Sequence, residues 1–301
     1  MFIIRTFSIL VFIFLSCAVS AESDNSKGLY IDLGVNEEES SPDLFVPLRW
    51  NDNLYSGFGF RSNSDRIEEL NIPGFVSSER NFYISDERYK FNIVTYEKKF
   101  NEAVVIYGIE YESINILEEE YGYEENIGPI FVTYEDVERF DISKLSLKLG
   151  FQIKMTKWVQ LKSELIYTPS PEIDYSNERY AIFNNTFVEG EHFKSYPQDH
   201  SYQINLVAKF NVSRYFDLTL AFDYEKLPIN FEEQLYSSGS YILNSVSYNR
   251  VIERSALRFI FKKSLFESVK PVIGLKNEKI YKNSVEISDN NLVFIGIENR
   301  F

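Results

Sequence analysis

Histidine and cysteine, the side chains that most often carry out chemistry, are nearly missing: His192, His200 and Cys17 are the whole supply. The stretch PQDHSYQ sets Asp199, His200 and Ser201 side by side, the ingredients of a nucleophile, a base and an orienting acid. A base must lie within hydrogen-bond reach of its nucleophile. Neighbours along a strand point to opposite faces, so His200 and Ser201 make a poor pair and no enzyme is expected. The runs NEEESSPD, SINILEEEYGYEEN and TYEDVER are dense in carboxylates, which are hard oxygen ligands for divalent cations. No EF-hand spacing or D-x-D-x-D run accompanies them, so they read as solvated surface, with no defined metal and no cofactor. Gly57 and Gly59 read as small residues on a crowded wall rather than as a nucleotide loop.

What remains is a series of cations on one parity of alternating segments: Arg49, Arg61, Arg88, Lys90, Lys148, Lys162, Lys209, Arg254 and Arg258. Lys98, Lys154, Lys262 and Lys270 share that parity, against fewer acids: Asp32, Glu110, Glu164, Asp217, Asp223, Glu225 and Glu298. A cationic wall around water concentrates small anionic solutes, as charged rings tune pores. The competing reading is a plug in which inward bases and acids pair and fill the interior, as small barrels do. The excess of bases over acids favours the first.

The elements that hold these residues are strands. Alternation of apolar and polar residues over about ten positions recurs in twelve segments, from GLYIDLGVN to the terminal NLVFIGIENRF. Tight turns alternate with polar connections near 37–43, 63–87, 113–140, 169–199, 227–251 and 278–290. Short turns on one side and longer loops on the other mark a transmembrane barrel, with the short turns periplasmic and the loops extracellular. Tyr89, Tyr111, Tyr167, Tyr202 and Tyr224 fall on the apolar face at the long-loop ends. Trp50, Phe210, Phe216, Phe261 and Phe301 fall near the short-turn ends. Two aromatic rings around an apolar band are what the two membrane interfaces select. The fold class is therefore all-β, an antiparallel up-and-down barrel of about twelve strands.

The N-terminus supports export. Arg5 precedes FSILVFIFLSCAVSA and then the polar ESDNSK, the pattern of a secretory signal cleaved after Ala21. Residues 1–21 are read as the signal peptide and 22–301 as the barrel. Cleavage there removes Cys17, so no disulfide is available. A net charge of −14 makes nucleic acid an unnatural partner.

The mature chain resembles a Gram-negative outer-membrane β-barrel, and its tail resembles the assembly signal of that class. That signal ends in an aromatic residue with a glycine five places earlier, matched by Phe301 and Gly296. Asn299 stands where an apolar residue is usual. The resemblance implies handling by the barrel-assembly machinery and contact with outer-membrane lipid and lipopolysaccharide. The expected function is a passive porin for small anionic solutes. The alternative is a non-conducting structural or surface-recognition barrel, similar to a solitary autotransporter-like barrel, acting through acidic extracellular loops.

Overall fold

The computed structural model describes residues 30–35, 40–70, 77–125, 131–183, 186–197, 199–237, 240–263 and 269–299. The signal segment and Phe301 lie outside them. Fourteen strand segments follow one another: β1 (Tyr30–Val35), β2 (Ser40–Arg49), β3 (Leu54–Leu70), β4 (Ser77–Phe100), β5 (Ala103–Glu125), β6 (Phe131–Lys154) and β7 (Val159–Thr168). They continue as β8 (Glu172–Phe183), β9 (Thr186–Pro197), β10 (Ser201–Phe210), β11 (Phe216–Ser237), β12 (Ser240–Phe261), β13 (Val269–Lys282) and β14 (Val285–Asn299). All pairings are antiparallel.

Twelve staves account for the fourteen segments. β6 pairs with β7 through Leu147–Lys154 and with β8 through Val132–Ser143, so β7 and β8 are one ascending stave. The break between them is Pro169, Ser170 and Pro171; proline has no N–H to give the ladder. β9 and β10 form the descending stave beside it, pairing with β8 and β7 in turn. The ring closes through β5 with β6 and β1 with β14, where Gly296 stands opposite Asp32. Closure leaves no edge at the level of β7 and β10; above it β9 pairs with β8 alone.

The twelve alternating segments thus form the barrel that the sequence predicts, but the expected long loops are largely wall. β3 and β4 stay paired up to Leu70 and Glu79, β5 and β6 up to Glu125 and Phe131, and β11 and β12 up to Ser237 and Ser240. β6 is 24 residues long, roughly 80 Å at about 3.3 Å per residue. A membrane crossing needs only about 9–11. Beyond the membrane both faces can carry polar residues, so alternation fades in sequence while the backbone still needs its hydrogen bonds.

Local chemistry sets the turns. At the short-turn end, Asn51 Oδ1 accepts from the N–H groups of Asn53 and Leu54 at 2.9 Å. Thr156 Oγ1 accepts from Trp158 and Val159 at 3.1 Å, and Ser213 Oγ from Tyr215 and Phe216 at 3.1 and 3.2 Å. Such side-chain bonds mimic a backbone turn. At the opposite end Asn283 and Ser284, with φ of 52° and 67°, join β13 to β14 in two residues, the left-handed pair that a tight hairpin requires.

A bulge between Asn92 and Val94 reverses the parity of lower β4. Thr95 and Glu97 take the inward register opposite Gly108 and Ile106. Lys98, expected inward, shares the outward side with Val105 and lies 5.1 Å from the Phe100 ring.

Candidate functional site

Exposure along β6 identifies the surroundings. Leu145, Leu147, Leu149 and Phe151 are 58, 58, 60 and 53 % exposed, while Lys144, Ser146 and Lys148 between them are 3, 2 and 7 %. A water-soluble protein arranges these the other way round. Ile109, Leu165, Leu206, Leu220, Ile273, Val293 and Ile295 continue the exposed apolar belt around the ring, an area far too large for a solvated surface. Above the belt, Tyr89 packs on Phe60 at 5.0 Å and Tyr202 stacks on Tyr224 at 6.0 Å. Tyr111 shares a hydrogen bond with Ser143 at 3.1 Å, and Tyr167 lies 5.9 Å from His200. Trp50, Phe100, Trp158, Tyr215 and Phe261 are exposed at the short-turn end. This is an outer-membrane β-barrel fold. In barrels of this kind the short turns are periplasmic and the extended end extracellular.

No family model matches the chain, and no curated protein does. Among solved structures the barrel is similar to the translocator domain of autotransporter NalP from Neisseria meningitidis, with a TM-score of 0.49 and 9 % identity over 99 % of this chain and 97 % of that one. It is also similar to the toluene transporter TodX from Pseudomonas putida, TM-score 0.45 and 8 % identity over 91 % and 88 %. A third is the NanC porin, TM-score 0.35 and 8 % identity over 91 % and 100 %. The likeness is one of architecture alone.

Inside the barrel, side chains form layers. Nearest the periplasm, Arg49 does not line the wall but folds over its turn, 2.6 Å from Asp52 Oδ1 and donating to the Asn51 carbonyl at 3.2 Å. Lys262 ties the rim together at 3.2 Å from Asp217. Gly57 allows the Phe45 ring to lie against β3, because a Cβ there would come within 2.5 Å of it.

At the next level Arg61 binds Asp43 through Nε and Nη2 at 2.9 and 2.8 Å. Lys162 pairs with Glu164 at 3.0 Å, and Glu110 forms ion pairs with Lys90 at 2.7 Å and Lys148 at 3.0 Å. Lys148 also donates to Asn92 at 3.0 Å. Lys209 shares a face of β10 with Gln203 and Asn205 and is half-buried. Arg258 lies 5.8 Å from the Phe294 ring.

The central layer is the densest. Arg88 grips Asp86 with two bonds of 2.8 Å and also reaches Glu225. Lys144 binds Glu112 at 2.6 Å and Glu225. Arg254 binds Asp223 at 3.0 Å and Glu278, and Asn63 donates to Glu278 at 2.7 Å. Buried charges persist only when paired and hydrogen-bonded in this way.

The expected excess of unpaired bases is therefore corrected: Arg61, Arg88, Lys90, Lys148, Lys162 and Arg254 all have acid partners. The overlooked acids are Asp43, Asp86, Glu112, Glu118 and Glu278, and the overlooked bases Lys144 and Lys276. Carrying each strand's parity through the segments assigned to loops finds Asp86 and Glu118, and Glu278 at the start of another. Glu112 and Lys144 lie within or just beyond the alternating runs and needed only the same parity.

Above the charges the interior turns apolar. Ile114, Phe140 and Ile229 are all 0 % exposed, packed with Ile116, Ile142, Ile173, Tyr175, Leu227, Phe231 and Tyr248. Tyr175 stacks on Phe231 at 3.9 Å and Phe140 on Tyr175 at 4.9 Å. Ile84, Ile252 and Ile280 make a second cluster. Beyond lie Arg250, paired with Glu118, and Lys282 at 3.4 Å from Glu138.

The inward cations differ in exposure. The side chains of Lys162, Arg61 and Lys90 are 33, 26 and 24 % exposed, those of Arg88 and Lys144 6 and 4 %. A cavity of about 380 Å³ occupies the wetter level. Toward the periplasm Ile260 and Val272 pack with Phe294 in a small buried cluster, and on the outward side stands the larger one around Phe140.

His200 is exposed in the tyrosine girdle and Ser201 is 3 % exposed on the other face. His192 lies on β9 opposite Asn177. Among the described residues no three His, Cys, Asp or Glu side chains come together as a metal-ligand set.

Proposed function

We propose that the protein is an outer-membrane barrel that does not conduct in its resting state and acts at the cell surface through its extended wall. One observation carries this: the apolar cluster around Phe140 and Ile229, with no exposed surface, stands above a charge-paired layer. Free passage of small anions, the other reading, needs water along the whole axis and mobile counter-ions. Dry aromatic packing supplies neither. A signal peptide directs the chain through the periplasm to the barrel-assembly machinery, and lipid and lipopolysaccharide surround the finished belt. Acids of the extended wall such as Glu119 on β5 fit a role in meeting cation-bridged lipopolysaccharide or another surface. No catalytic step belongs to it.

Planar-bilayer recording tests the reading. The wild-type barrel should be silent at moderate voltage, and the triple variant Phe140→Ala, Tyr175→Ala, Phe231→Ala should show steady conductance. Steady wild-type conductance with preference for chloride would overturn it in favour of the porin.

A further inference from the structure

In the cavity on the periplasmic side of the seal, hydrogen bonding is incomplete, and seven bases line it against four acids. Nζ of Lys276 is buried and has no hydrogen-bond partner among the described residues. The acids whose charge it feels are Asp43 and Glu278, but Asp43 receives Arg61 and Glu278 receives Arg254 and Asn63. Nη2 of Arg254 is also buried without an acceptor, although its Nη1 and Nε are bonded to Asp223 and Glu278. Both side chains line the same 380 Å³ cavity. Opposite Lys276 on β12 stands Ala256, which lines the same cavity.

A cation so placed calls for an acceptor, since an unmet buried donor is costly and more so when charged. The rest of the lining gives the acceptor a character. Phe45, Phe294 and Val207 offer apolar walls to the same space. Phe294 reaches it because Gly274 has no Cβ to obstruct the ring. Charged groups that fix orientation beside an apolar patch, at this volume, suit a small anionic ligand with an apolar part.

We infer that the cavity binds a small organic carboxylate with a compact apolar body, its carboxylate held by Lys276 and Arg254. The site lies below the seal, so it goes beyond the closed-barrel reading and does not depend on it.

Benzoate is a suitable probe, with inorganic phosphate as an anion lacking the apolar body. Thermal unfolding and calorimetric titration of the refolded barrel in detergent should show saturable stabilisation by benzoate, with phosphate at least ten-fold weaker. Lys276→Met should melt above wild type without benzoate, because it removes an unmatched buried charge. It should also lose at least ten-fold in benzoate affinity. Lys276→Gln serves as a second variant, and heat-dependent gel mobility checks that each has folded. A wild type indifferent to benzoate, or variants that respond as wild type does, would overturn the site and leave water as the partner of Lys276.

Discussion

Glu225 illustrates what a single residue does in this lumen. It receives Arg88 and Lys144, and Arg254 stands 3.7 Å away. Removing a carboxylate from such a cluster leaves cations uncompensated in a dry interior, a loss of about 3–5 kcal/mol. Glu225→Ala should lower the urea midpoint of the refolded barrel accordingly, with little change in the slope of the transition. Exposed Lys157→Ala, whose ammonium lies 5.0 Å from the Trp158 ring at the periplasmic rim, should leave the midpoint nearly unmoved. Equal effects would mean that the central layer is hydrated.

At the scale of the strand, one position decides between lipid and lumen. Leu147 and Lys148 are neighbours on β6, the first 58 % and the second 7 % exposed. Leu147→Arg places a charge in hydrocarbon and should cost about 2–4 kcal/mol when folding into bilayers is measured. In detergent micelles, which deform around a charge, the loss should be smaller. Alternation of residue types is enough to assign these faces, strand by strand. It fails where a bulge intervenes, as at Lys98, because one extra residue turns every later side chain over. It also fails at Pro169 and Pro171, which resemble the start of a loop yet only interrupt a stave.

For the molecule as a whole, closure is the property that matters. β1 pairs with both β2 and β14, and β5 with both β4 and β6, so no stave can leave without breaking two ladders. Unheated protein in dodecyl sulfate should therefore migrate differently from boiled protein. Identical mobility before and after boiling would argue for an open sheet.

The chain's own order of residues settled the strand period, the lipid-facing side, the tyrosine girdle and the parity of most inward cations, Lys98 past its bulge excepted. These are local properties, set by what each pleat exposes. The fate of those cations was not local. Arg88 meets Glu225, 137 positions away, and Asn63 meets Glu278 at a separation of 215; such partners come together only once the ring has closed. The same holds for the seal, where Ile114, Phe140, Ile173, Ile229 and Tyr248 arrive from five strands. Alternation gives direction, inward or outward, but not height along the axis, and height decides whether an inward residue meets water, an opposite charge or a dry core.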